Sequence, residues 1–132
     1  MKKYFMQREI KFRGKRVDNG EFIYGYLYQS ELRSWITDSR NINLETHRNI
    51  AWFQVIPETV GQYTGLNDRK KREMCEGDIV KRKGCKRFDS IGFCDGSFTI
   101  EFNGGGNDAL QIFNDECEIV GTIHDNPELL TQ

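Results

Sequence analysis

The sequence has no apolar run approaching the ~20 residues that a membrane-spanning helix needs, no C-x-x-C pair, two histidines, two prolines and, beyond Arg87, no lysine or arginine. The first absence argues against a membrane protein. The opening MKKYFMQREIKF has three apolar residues before Gln7, Arg8 and Glu9 interrupt them, too few for a secretory signal. A cytoplasmic location is therefore expected. Cys75, Cys85, Cys94 and Cys117 are ten, nine and 23 positions apart, without the close pairs of a zinc knuckle. His47 and His124 could join them in a metal site, but free thiols acting as small apolar side chains are the favoured reading. Neither a metal nor a cofactor is called for.

What is present fits one ordinary folded domain, 1–132. The 132 residues suffice for a sizeable core. An apolar fraction of 37%, before the 13 glycines are added, excludes a disordered composition. The net charge of −1 conceals a segregation. Residues 1–16 hold seven basic groups against Glu9, residues 69–87 nine against three acidic, and residues 88–132 nine acidic and no basic. Such blocks suit an anionic partner or pairing inside the fold and between subunits. Internal pairing is favoured, because a dedicated nucleic-acid domain carries a clear basic excess.

Period-two alternation dominates the chain. REIKF and EFIYGYLY read as strands joined through VDNG, whose Asn19-Gly20 suits a tight hairpin turn. With those two residues at its centre, Phe12 would face Leu27 and Ile10 would face Gln29. On the other side Lys15 would face Tyr24, Arg13 would face Tyr26, and Lys11 would face Tyr28, so cationic stems would cover aromatic rings. That surface could be a stacking platform for single-stranded nucleic acid. The competing and favoured reading packs the rings beneath another sheet or a subunit.

From Ser30 to Ile50 the chain reads as a long polar loop, followed by β-like runs AWFQVIP and TVGQYTG in an N-terminal β subregion of about 1–66. RKKR, Arg69 to Arg72, reads as a solvated turn. Five further strands, DIVKR, IGFC, FTIEF, ALQIF and CEIVGTI, predict a small closed or nearly closed barrel over about 67–125. DNPELL predicts a terminal helical turn, with Asn126 as N-cap and Pro127 in the first position.

Chemical motifs are sparse. NGGGN at 103–107 lacks the pattern of a phosphate loop opening a helix and reads as a hairpin loop. Glu76 and Asp78 flank Gly77 without a partner set for acid–base work and read as the turn into the DIVKR strand.

Three ordered stretches, REIKFRGK with FIYGY, ETVGQYTGLND with EGDIVK, and GTIHDNPELL, resemble the YopX family of phage and prophage proteins across nearly the whole chain. The resemblance implies a mainly β fold of several coiled sheets that includes an SH3-like barrel. It places RKKR where relatives carry a DKNGK-like hairpin turn, with charged residues replacing Asn and Gly. It carries over no catalytic residue, and implies a bacterial host cytoplasm.

Three functions follow as expectations. The first is a non-enzymatic interaction module that self-associates or engages a phage or host protein. The second is a nucleic-acid binder using Lys11, Arg13 and Lys15 with Tyr24, Tyr26 and Tyr28. Arg69, Lys70, Lys71 and Arg72 would contribute to it, as would Lys81, Arg82, Lys83, Lys86 and Arg87. The third is an enzyme whose site is assembled from distant positions.

Overall fold

The structure is a computed structural model and describes residues 9–38 and 50–131. Eleven strands among these residues form two antiparallel sheets. The first contains β1 (Phe12–Lys15), β2 (Phe22–Gln29), β3 (Ser34–Asp38), β4 (Phe53–Val55), β5 (Gly61–Asn67) and β6 (Glu73–Cys75), in the order β4-β3-β2-β1-β5-β6. The second contains β7 (Asp78–Arg82), β8 (Phe88–Cys94), β9 (Ser97–Glu101), β10 (Asn107–Ala109) and β11 (Cys117–Thr122), in the order β10-β9-β8-β7-β11. The mainly β expectation is met. No helix among the described residues is long and apolar enough to cross a membrane.

The N-terminal hairpin forms, but two residues out of the expected register. Phe12 pairs with Gly25, Arg13 with Tyr24 and Lys15 with Phe22. The strand expected over REIKF begins instead at Phe12, and the turn is wider than Asn19-Gly20 alone. Arg16 N donates to Glu21 O, and Gly20 N to Arg16 O, leaving 17–20 as the loop. Asn19 Oδ1 accepts from Glu21 N at 2.9 Å and holds this wider turn. Because side chains alternate with a period of two, the shift keeps every residue on its expected face.

β3 occupies part of the segment expected to be loop. Its Ile36 is fully buried between Trp35 and Thr37, inside a stretch whose overall polar composition hid the alternation. The rest of that expectation, residues 39–49, lies outside the described residues. Gly14 lets the first sheet coil. A Cβ there would lie 3.0 Å from Val55 Cβ and 3.3 Å from Ile36 Cδ1. With that space filled by Val55 and Ile36, β4 reaches the chain just past β1 through an Arg16–Val55 bridge and the bonds Val17 N to Gln54 O and Ile56 N to Lys15 O.

The second sheet encloses Met74, Val80, Ile91, Ile100, Leu110 and Cys117, with Phe98, Phe102, Phe113 and Ile119 packed around them. Each fully buried aliphatic side chain contributes roughly 1.5–3 kcal/mol. The ALQIF segment is not a strand throughout: residues 110–113 form the helical turn α1 (Leu110–Phe113). Leu110 enters the core and Phe113 packs edge-on against Phe102 at 5.8 Å, an i, i+3 spacing that belongs to a helix. Since α1 follows β10 directly, and β11 pairs with β7 alone among the described residues, neither sheet closes there and no SH3-like barrel is seen among them. The final turn is a 3-10 helix, Pro127–Thr131. Asn126 Oδ1 accepts from Thr122 N at 3.2 Å.

Candidate functional site

Arg13, Lys11 and Lys15 face inward, toward carboxylates of the same chain. β1 places Arg13 where the sheets meet, and Asp78, the first residue of β7, meets it with Arg13 Nη1 at 2.7 Å from Asp78 Oδ1. Asp78 Oδ2 also accepts from Cys75 N, and Arg13 Nη2 donates to Glu76 O. Phe22 covers the guanidinium at 4.6 Å. Burial pushes the Asp78 carboxyl above its ordinary value, against the pull of Arg13 and the Cys75 N–H. Burial likewise pushes the Cys75 thiol up to about 12, so it is no nucleophile. Lys11 pairs with Glu73 at 2.8 Å and lies against Tyr63, and Lys15 pairs with Asp125.

The RKKR turn is also engaged. Asp68, 3% exposed, accepts from the backbone amides of Lys70, Arg72 and Ile119 and pairs with the Arg72 guanidinium at 3.0 Å. Arg69 and Lys70 pair with Glu118 on β11 at 2.5 and 2.9 Å. Arg72 Nη2 donates to Ile119 O, and Arg69 N to Cys117 O. The turn therefore covers the free edge of β11, a structural role for charges that in sequence suggest a phosphate grip. On β7, Arg82 Nε binds Asp89 Oδ2 at 2.9 Å and stacks over Phe102 and Phe113. Lys71, Lys81, Lys83, Lys86 and Arg87 are exposed, and none pairs with a carboxylate among the described residues.

Tyr24, Tyr26 and Tyr28 share the sheet face that carries Arg13 and Lys15, but they lie beyond the part of it that Asp78 and Asp125 cover and are 41%, 50% and 57% exposed. The expectation that they pack beneath another sheet is overturned for the described residues. Gly25 and Leu27, on the opposite face of β2, lie with the buried Ile36 and supply that side's packing. Trp35 pairs with Tyr28, and Trp52 meets Tyr28 edge-on at 6.3 Å. These three rings line an open apolar pocket of about 380 Å³. Sequence reading missed both tryptophans, since Trp35 lay in the supposed loop; the W-I-T alternation was its one local signal.

A second pocket of about 380 Å³ lies between Thr64, Leu66, Phe93, Phe98, Ala109 and Gln111, with no titratable side chain in its lining. Among the described residues no three His, Cys, Asp or Glu side chains gather to hold a metal ion. His47 lies outside the described residues.

The YopX protein family matches residues 11–131, nearly the whole chain. The chain belongs to the YopX family. No curated protein matches the sequence. Among solved structures, protein EF1440 from Enterococcus faecalis is similar at a TM-score of 0.62 and 24% identity, covering 92% of this chain and 98% of that one. That likeness is one of fold. The ordered YopX motifs thus belong to a coiled two-sheet architecture, in which EGDIVK supplies the Asp78 partner of Arg13.

Proposed function

We propose that this YopX protein is a non-enzymatic, phage- or prophage-encoded interaction module that self-associates through the exposed, tyrosine-bearing part of its first sheet. The observation that carries this reading is the contiguous row Tyr24, Tyr26 and Tyr28 with Trp35 and Trp52 beside it, left uncovered by the described chain. A second copy is the occupant that the charge pattern favours. Lys11, Arg13 and Lys15 are neutralised by Glu73, Asp78 and Asp125, so the face is aromatic without a strong field, and a net charge of −1 repels a like copy weakly. Half-exposed rings at ~100 Å² each offer on the order of 400 Å², half of the ~800 Å² per partner of a standard interface. The polar rim of the sheet supplies the remainder.

Size-exclusion chromatography with light scattering over a concentration series tests this reading. Tyr26→Ser with Tyr28→Ser should shift the population to monomer while leaving stability nearly unchanged. A wild-type protein that stays monomeric at high concentration overturns it. Single-stranded nucleic acid on the same face is the weaker reading, because the three cations that would hold its phosphates are already paired. An enzyme is weaker still: the two pockets described gather no set of titratable groups, and in a further pocket of about 310 Å³, where Arg16, Glu21, Tyr24 and Asp38 meet, the one cation, Arg16, is paired with Asp18. A bacterial cytoplasmic location belongs with the phage-encoded reading.

A further inference from the structure

Of the nine cations between residues 69 and 87, Arg69, Lys70, Arg72 and Arg82 are held by Glu118, Asp68 and Asp89. Four of the remaining five, Lys81, Lys83, Lys86 and Arg87, belong to the β7–β8 hairpin. Asp89 fixes that hairpin against the glycine-rich loop between β9 and β10. Its Oδ2 accepts from Arg82 Nε at the foot of the hairpin, and its Oδ1 accepts from Asn103 N at the foot of the loop, both at 2.9 Å. Arg87 then reaches across so closely that a Cβ on Gly104 would lie 2.5 Å from Arg87 Nη1. A side chain there would displace only the end of the exposed Arg87 side chain, so the contact marks where the guanidinium lies and does not itself require glycine.

The loop offers donors of its own. Gly105 and Gly106 have φ of 114° and 84°, and the amides of Gly104 and Gly106 donate to no acceptor among the described residues. These two donors flank Gly105, whose amide donates to Phe102 O, and main-chain amides left free at a turn attract anions. The neighbouring carboxylates are occupied locally: Glu101 accepts from Thr99 and Asn107, and Asp108 from Ala109 N. Glu116 approaches the hairpin through its carbonyl, which accepts from Lys83 N.

We propose that the β7–β8 hairpin and the Gly104–Gly105–Gly106 loop together bind a phosphate group, with Arg87 as its principal contact and Lys86 and Lys83 beside it. A guanidinium presents paired N–H donors that match two phosphate oxygens, and the loop amides supply further donors. The phosphate can belong to a small phosphorylated molecule or to a nucleic-acid backbone. The site does not depend on self-association through the tyrosine face.

Titration of the intact chain with pyrophosphate and with a short oligonucleotide, in ~50 and ~200 mM salt, tests the site. At least one ligand should bind at the lower salt. Engagement of about three phosphates of a duplex would weaken that binding about 40-fold between the two salt concentrations. Arg87→Ala should lower affinity at least tenfold, and Lys86→Gln should lower it less; both residues are exposed, so the fold is retained. Lys71→Gln, an unpaired cation on another loop, should bind as wild type does. Pyrophosphate binding alone identifies a small-molecule source, oligonucleotide binding alone a nucleic-acid source, and competition between the two a site open to either. The proposal is overturned when neither ligand binds at ~50 mM salt, when Arg87→Ala is neutral, or when Lys71→Gln costs as much.

Discussion

Arg13 and Asp78, far apart in sequence, meet 2.7 Å apart where the first sheet passes into the second, with side chains only 5% and 2% exposed. Removing one partner strands a buried charge, whereas replacing both by apolar groups removes the desolvation cost as well. Asp78→Asn and Arg13→Met should each destabilise by about 3–5 kcal/mol in urea unfolding. The double variant Arg13→Met with Asp78→Leu should lose less than the two together. Single losses below about 1 kcal/mol, well short of that range, would show that the pair does not join the sheets.

Asp68 ties the RKKR turn to β11. Burial alone would raise its carboxyl, but the amides of Ile119, Arg72 and Lys70 and the Arg72 charge outweigh it and hold the folded value below 3.8. The unfolded chain therefore binds more protons in that window, and stability falls as pH drops through the folded value. Asp68→Asn should cost on the order of 2–3 kcal/mol at neutral pH. It should also flatten the acid limb of a pH–stability curve, and an unchanged limb would assign the acid loss to other carboxylates.

His124 packs on Phe22 at 6.4 Å beside Gly77. Burial first, then the charges of Arg13 and Lys15, lower its pKa from 6.5, with Asp125 opposing. The unfolded imidazole takes up its proton at higher pH than the folded one, so stability should decline as pH falls below about 6.5. His124→Gln should remove that decline. Thermal melts at pH 7.5 and 5.5 measure it, and an equal drop in both proteins refutes the assignment.

Lys71 adopts φ of 68°, a left-handed conformation that favours glycine. The backbone geometry of a glycine turn is thus adopted with a side chain that disfavours it. Lys71→Gly should raise stability by up to about 1 kcal/mol, the left-handed penalty less the extra freedom of unfolded glycine. A loss of stability would mean that the lysine side chain contributes more than its backbone strain.

Local pattern accounts for the elements read correctly in advance. DIVKR matches β7 residue for residue, and FTIEF marks β9, because alternation and turn chemistry lie within a few neighbours of one another. The faces of β1 and β2 were legible for the same reason, but their register was not. A four-residue loop and a two-residue turn differ by an even number, and period two cannot tell them apart.

The sequence by itself determined a mainly β chain, its most regular strands and the choice of which side chains share a face. Only the tertiary structure decided that Asp68, Asp78 and Asp89, turn-like in sequence, become buried partners of Arg72, Arg13 and Arg82. It also decided that the tyrosines stay exposed, that Leu110 and Phe113 wind into a helix, and that four hairpin cations find no carboxylate among the described residues. The physical reason is distance along the chain: a carboxylate's burial and a cation's pairing are set by residues brought from other strands, and no local period records which strands will meet.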